Sequence, residues 1–389
     1  MFPQSPHFIT DDLPISDASK RYTSRRNWIL SQCKGPLILL APNQGPDHGY
    51  PWAHVHAPVF QDSYFLFLTG INQPKIALIL DPKSTKHHLF LPEFNADNVF
   101  WNGPRFAYGD PDSTSWLKKA GYTDIHPLSS LTSFIRNTPK STSFCLNIDT
   151  SKKKMVRNEA FTLKQFIIRQ AKRQVININD HSWDHRLRHD TPTINAFKTA
   201  VKKTNTAFKA SLCSGRFKTE TELSGTLMGH LFSQSCYGIA FPPIIAKNEN
   251  AAILHYINNS SAFLKKDLVL LDFGLRWQSI HTDISRTIPI SGTYTDLQKR
   301  LISIVLDTQD MVMSHIKPGI TVHDLNKLAW DYLERQLEKD FLAKGGKMDR
   351  PYALQPHNIG HLLGLQVHDG PPDRRYMHTP LPAGAVITI

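Results

Sequence analysis

Residues 268–289 read LVLLDFGLRWQSIHTDISRTIP, and the fold of the second half of the chain turns on them. The apolar run Leu268-Val269-Leu270-Leu271 leads into Asp272-Phe273-Gly274, and a second extended run through Ile284 and Ile290 follows a polar turn and Asp283. A hairpin turning at Trp277-Gln278 sets Asp272 directly opposite Asp283, with Cβ atoms about 4.5–5.5 Å apart. Facing like charges on a buried ladder are destabilising unless something positive lies between them. A divalent cation held by oxygen ligands is the natural candidate. The alternative is a strand-end turn residue paired with a solvated edge aspartate, but an apolar strand seldom ends on an inward carboxylate without a use for it.

Working outward, Thr191-Pro192 reads as a helix start, with Thr191 as cap. Ile194, Phe197, Val201, Phe208 and Leu212 form an apolar stripe at helical spacing. Thr219-x-x-Glu222 opens a second helix as a capping box. Extended segments are expected at 238–246 and 253–256. After the hairpin, Thr295-x-x-Gln298 caps a helix striped by Leu301, Ile304, Val305, Thr308 and Val312, and Thr321 caps another. The order helix, helix, strands therefore occurs twice, as an internal two-fold repeat of one α+β unit. A site between two such halves draws ligands from both.

The first part of the chain alternates strand-like and helix-like stretches. A basic helix is expected over 18–32, strands at 36–40, 62–70, 75–80, 88–91 and 175–178, and a helix over 158–173. This predicts an N-terminal α/β domain over 1–180 and a second domain over 181–389, as suits a chain of 389 residues. No apolar run approaches the ~20 residues of a membrane span. No basic segment followed by an apolar stretch opens the chain, so no secretory signal is visible. Cys33, Cys145, Cys213 and Cys236 are widely spaced, without a C-x-x-C pair, which fits a reducing cytoplasm. The net charge of +12 raises nucleic-acid binding, but the only compact basic run is Lys152-Lys153-Lys154, so a solvated basic surface and no nucleic-acid partner are expected. His48, His54 and His56 lack partners at ligand spacing and read as loop histidines.

Residues 357–370, HNIGHLLGLQVHDG, set His357, His361 and His368 among Gly360 and Gly364. Imidazole joins carboxylates in binding Mn, Fe, Co or Zn, so this cluster gains weight beside Asp272 and Asp283. The ordered motifs resemble those of the aminopeptidase P and Xaa-Pro dipeptidase family, whose catalytic domain has the pita-bread fold. They are Asn250-Ala251-Ala252-Ile253-Leu254-His255-Tyr256, Asp267 through Gly274, Thr282-Asp283-Ile284-Ser285-Arg286-Thr287, Gly360-His361 with Gly364-Leu365-x-Val367-His368-Asp369, and Pro382-x-Gly384-x-Val386-Ile387-Thr388-Ile389. Phe65-x-Phe67-Leu68-Thr69-Gly70 resembles the signature of the family's N-terminal domain.

The resemblance implies an α+β chain: an N-terminal α/β domain, then a pseudo-two-fold pita-bread domain. It implies metal ligation by Asp272, Asp283 and His361, with Asp283 able to bridge two divalent ions, commonly Mn²⁺. His255 and His368 resemble substrate-side histidines that support the scissile-bond region, and His357 matches a histidine near the site. The implied reaction removes an N-terminal residue from peptides with proline second, using a metal-held hydroxide as nucleophile. A homo-oligomer, dimer or tetramer, is expected. The rivals are an Xaa-Pro dipeptidase and a non-catalytic pita-bread binding module.

In the family the last strand runs on into Glu-Pro-Gly, whose Glu is both ligand and base, and a further ligand Glu follows on the final strand. The 389 residues end at Ile389, before both. The expectation is a pita-bread domain without its last strands, with three of five ligands and impaired turnover. Loss of a general base alone typically removes roughly 10²–10⁴ in rate.

Overall fold

The computed structural model describes residues 8–41, 61–84, 86–148, 159–234, 237–339, 357–371 and 375–389. His48, His54, His56, Lys152, Lys153, Lys154 and Cys236 lie outside the described residues. The chain divides into two units, Met1–Arg186 and Leu187–Ile389. The boundary expected at 180 falls inside a helix, Asn179–Arg186, at the end of the first unit.

The first unit is a six-stranded mixed sheet with helices. In chain order it holds α1 (Ile15–Gln32), β1 (Leu37–Leu40), α2 (Ser63–Thr69), β2 (Ala77–Leu80), β3 (His87–Leu91), α3 (Ala96–Asn102), α4 (Pro111–Lys119), β4 (Asp124–Pro127), α5 (Leu131–Asn137), β5 (Ser143–Leu146), α6 (Glu159–Gln165), β6 (Gln174–Asn177) and α7 (Asn179–Arg186). The strand order is β4-β3-β2-β1-β5-β6. Ile38, Ile79, Phe90, Phe144 and Ile167 form its buried core. The strand expected over 62–70 is instead the helix α2. The Asp62 carboxylate accepts from Phe65 N–H at its start, and left-handed Gly70 (φ 69°) ends it. Every residue of this single helical run is buried, so its sequence shows no polar face. The fold also brings together two cysteines distant in sequence, because the thiols of Cys33 and Cys145 share a hydrogen bond.

The second unit begins with α8 (Thr191–Cys213) and α9 (Glu220–Ser233), followed by β7 (Gly238–Ile239), β8 (Ile244–Lys247), β9 (Leu268–Phe273), β10 (Leu275–Trp277), β11 (Ile280–His281) and β12 (Ile284–Pro289). Two helices follow, α10 (Asp296–Ser314) and α11 (Val322–Leu337), before the segment over 357–389 that carries His361. Asp190, rather than Thr191, caps α8 by accepting from Thr193 N–H. Its buried face is mostly small, with Ala196, Ala200, Thr204 and Ala207 alongside Phe197. Val201 and Leu212 of the expected stripe are exposed. On α10, Ile304, Thr308 and Val312 are buried, while Leu301 and Val305 face outward. Thr295 with Gln298, and Thr321 with Asp324, make full capping boxes. At α9 the Thr219 cap forms, but Glu222 reaches back to Lys218 N–H instead.

Strand β9 shows why this unit holds together. Val269, Leu271 and Phe273 alternate inward against α8 and α9, each buried completely. Such burial stabilises by about 1.5–3 kcal/mol per side chain. The other face carries Leu270 and Asp272. The strand expected over 253–256 is absent: a 3-10 turn, Asn248–Ala252, precedes it, and Ile253 and Leu254 are exposed. Residues 385–389, where the resemblance places the family's strand before Glu-Pro-Gly, form one bridge, Leu362 to Ile387. The second helix–helix–strand repeat thus has its helices but, among the described residues, no ladder comparable to β8-β9-β12.

Candidate functional site

The hairpin pairs Trp277 with Ile280 and Arg276 with His281, so its turn is Gln278-Ser279 rather than Trp277-Gln278. Gln278 adopts φ 55°, the left-handed conformation that matches a two-residue turn to the strand twist. The register correction carries through the ladder. Asp272 lies opposite Ser285, not Asp283. Asp283 belongs to no strand and sits in a two-residue break, Thr282-Asp283, between β11 and β12. The two aspartates are diagonal neighbours on one face, a relationship that still leaves long side chains within reach of each other.

Close packing fixes the break. A Cβ on Gly274 would lie 1.8 Å from the Thr282 carbonyl oxygen, so only glycine lets these backbones meet. Thr282 is buried, and its hydroxyl lies 2.8 Å from that of Thr204 on α8 and accepts from Leu275 N–H at 2.9 Å. Asp283 therefore leaves the backbone at a point anchored from both strand and helix.

His361 reaches this point from the glycine-flanked segment. Its Nε2 lies 3.0 Å from Asp283 Oδ2 and its Nδ1 3.0 Å from the Leu362 carbonyl. A carbonyl only accepts, so Nδ1 carries a proton. Nε2 then faces a carboxylate oxygen, which requires either a second proton or a cation between them. Burial opposes that second proton, but the hydrogen bonds to Asp283 and Leu362 outweigh it and raise the pKa. Asp272 shows the complementary strain. Burial first, then the Asp283 charge, push its carboxyl up to about 7, although the Ser285 hydroxyl 3.0 Å away opposes the shift.

The segment carrying His361 is also pinned. Its N–H donates to the Thr388 hydroxyl at 3.0 Å, and Asp369 accepts from Leu365 N–H at 2.8 Å. His368 packs against His361, with ring centroids 4.3 Å apart at 69°. Burial and the neighbouring His361 lower its pKa, and His255 adds to the effect from within electrostatic range. His255 and His368 are both exposed. His357 turns onto the Asn358 carbonyl, 2.6 Å away.

Two carboxylates and an imidazole are the donor types of Mn, Fe, Co and Zn sites. The 3.0 Å between Nε2 and Oδ2 suits two ligands of one ion at about 2.1 Å each. The donors therefore fit a divalent ion in kind. Asp283 and His361 are in direct contact, and Asp272 acts on both through its charge. Among the described residues no three His, Cys, Asp or Glu side chains converge on one point.

The family model described as Metallopeptidase family M24 matches residues 195–389, half of the chain and all of the site. The chain belongs to metallopeptidase family M24. A second family model, Aminopeptidase P, N-terminal domain, matches residues 22–144. Among curated relatives of this M24 chain, a Fusarium vanettenii protein described as "Probable Xaa-Pro aminopeptidase PEPP" is 28% identical over 364 residues, covering 85% of this chain and 71% of its own. A Metarhizium acridum "Probable Xaa-Pro aminopeptidase pepP" is also 28% identical, covering 90% and 69%. The solved Pseudomonas aeruginosa aminopeptidase PepP superposes with a TM-score of 0.81 at 22% identity, over 96% of this chain and 86% of that one. The M24 chain thus has the aminopeptidase P fold, a pita-bread domain preceded by an N-terminal α/β domain. No described helix is long and apolar enough to cross a membrane.

The residue that sequence reasoning passed over is Glu220. It sits at the first position of α9, where an acidic residue reads as ordinary helix-dipole complement. In the structure it is fully buried beneath the segment that carries His255.

Proposed function

We propose that this M24 chain is an Xaa-Pro aminopeptidase that removes the N-terminal residue from peptides whose second residue is proline. The observation that carries the reading is the contact between Asp283 and His361, beside an Asp272 carboxyl whose ionisation is suppressed by burial and then by the Asp283 charge. Such a group of donors is relieved by a divalent cation. The names of the curated relatives point to the same substrate class.

In this reading Asp272, Asp283 and His361 hold two divalent ions, Mn²⁺ first among candidates. Ions held there supply Lewis-acid polarisation of the scissile carbonyl and acidify water at neutral pH. The chain's own residues do the rest. The Leu362 carbonyl holds the His361 ring by its Nδ1 proton, leaving Nε2 for ligation. Exposed His255 and His368 hydrogen-bond the peptide around the scissile bond. His357 takes no part in this account. The protein works in the cytoplasm as a homo-oligomer.

The test is hydrolysis of Xaa-Pro-Yaa and Xaa-Pro peptides by metal-stripped protein with Mn²⁺, Zn²⁺ or Co²⁺ added back. Metal-dependent release of the first residue from the tripeptide, lost in Asp283→Asn, supports the aminopeptidase. Cleavage confined to the dipeptide would replace it by a dipeptidase. Peptide binding without turnover at saturating metal would make the chain a binding module.

A further inference from the structure

Among the described residues, no cation lies against the buried charge of Glu220. Its side chain has no exposure to solvent. One carboxylate oxygen accepts from Lys247 N–H and Asn250 Nδ2, both at 2.9 Å. The other accepts from the Tyr256 hydroxyl at 2.8 Å and Ser261 N–H at 2.9 Å. The ammonium of Lys247, whose backbone N–H serves Glu220, pairs instead with Asp267 at 3.2 Å. Burial alone would raise the Glu220 pKa, but these four donors more than offset it and hold the carboxyl below its ordinary value. A buried ion without a partner charge persists only where hydrogen bonds replace its hydration.

All four donors come from one segment, residues 247–261, and they bracket His255. Asn250 lies five residues before it and Tyr256 one residue after. Asn250 Nδ2 also reaches the Tyr256 hydroxyl at 3.1 Å and Ser261 Oγ at 3.0 Å, so donors and acceptor form a single knot. Apolar packing does little to hold the middle of this segment, because Ile253 is 57% exposed and Leu254 is 48% exposed. Strand pairing ends before it, at Lys247. Buried Tyr256, packed with Ile244 and Ala246, and Asn259, bonded to Ile245 N–H and the Pro243 carbonyl, also hold the segment, and the Glu220 carboxylate is the tie that joins its two ends around His255.

We infer that Glu220 is a positioning residue: its buried carboxylate, tied to Lys247, Asn250, Tyr256 and Ser261, sets the backbone that presents His255 to the peptide. The inference rests on the reading of His255 as a substrate-side residue. Glu220 touches neither peptide nor metal and acts only through the segment it ties. The requirement is for an acceptor on every lone pair, which glutamine cannot meet, since its amide nitrogen would face donors.

Glu220→Gln and Tyr256→Phe, each in the full chain, test this, with folding monitored by circular dichroism. Amide hydrogen exchange over 248–261 is expected to rise about tenfold or more in Glu220→Gln, the loss of one hydrogen bond to a charged group. Tyr256→Phe, which removes one donor and keeps the charge, gives a smaller rise. Exchange in α10 and α11 stays unchanged. In Xaa-Pro hydrolysis, Glu220→Gln lowers kcat about tenfold or more with little change in metal affinity. Combined with His255→Ala it costs no more than His255→Ala alone, the non-additivity expected of residues that act as a unit. Unchanged exchange over 248–261, or fully additive kinetic effects, overturns the assignment. If the wild-type protein cleaves no Xaa-Pro peptide, the functional reading fails separately, and the exchange experiment alone decides whether Glu220 positions the segment.

Discussion

Asp272 faces Ser285 across the ladder of β9 and β12, with the serine hydroxyl donating to its carboxylate at 3.0 Å. The hydroxyl orients a carboxylate whose neighbour on the same face is another carboxylate. Partners that orient metal ligands are worth about 10–100-fold in affinity. Ser285 is exposed, so Ser285→Ala is expected near the lower end, about tenfold weaker Mn²⁺ binding by isothermal titration. Unchanged affinity would remove Asp272 from the ligand set.

Gly274→Ala is a packing prediction. The added methyl group meets the Thr282 carbonyl oxygen at 1.8 Å and its carbon at 2.7 Å, both backbone atoms that have little room to yield. Overpacking of this kind costs about 1–3 kcal/mol. The urea midpoint falls accordingly, and metal affinity falls with it because Asp283 follows Thr282.

Thr204→Val separates the anchor from the site. The Thr204 hydroxyl lies 2.9 Å from the Ala200 carbonyl and 2.8 Å from the Thr282 hydroxyl. Valine keeps the shape and removes the hydrogen-bonding group, for a cost of about 1 kcal/mol in stability. A chemical-denaturation midpoint indistinguishable from wild type would show that the contact between α8 and the break contributes nothing.

Acid sensitivity has a specific source in the second unit. His281 is buried, and burial first, then Arg276, lower its pKa to about 4. The unfolded chain takes up this proton near 6.5 and the folded chain only near 4. Between those values the unfolded state binds more protons, so stability is fully present above 6.5 and is lost as pH falls toward 4. The contribution is on the order of 3 kcal/mol. His281→Gln is expected to flatten the decline in denaturation midpoint between pH 7 and 4.5. An equally steep decline in the variant would place the sensitivity elsewhere.

What the sequence made legible follows from periodicity. The turn at Gln278-Ser279 is one residue later than expected, which moves each cross-strand partner by two residues. A shift of two preserves the face, because side chains alternate with period two. Asp272 and Asp283 therefore share a face under either register, and only their direct opposition was lost. Gln278 gives no sequence signal for the left-handed φ that decides the turn. The helix α2 escaped because a short, wholly buried run has no polar face to show its period. On α8, counting large apolar residues found Phe197 and Phe208, which pack on the core, but also took in exposed Val201 and Leu212 and passed over the alanines and Thr204 that let the helix approach the sheet. Glu220 was hidden for a different reason: a carboxylate's partners lie up to forty-one positions away, and no local pattern encodes them.

The break at Thr282-Asp283 has a mechanical meaning. One hairpin, β9 and β10 against β11 and β12, supplies strands to two separate three-stranded sheets, β12-β9-β8 and β11-β10-β7. Asp272 belongs to the first, while Asp283 stands at the seam between them. Any relative twist of the two sheets alters the spacing of the two carboxylates, and an ion gripping both would act as a rivet that sets that twist. Metal loading should therefore be readable far from the donors, as slower exchange in the amides of β7 and β10.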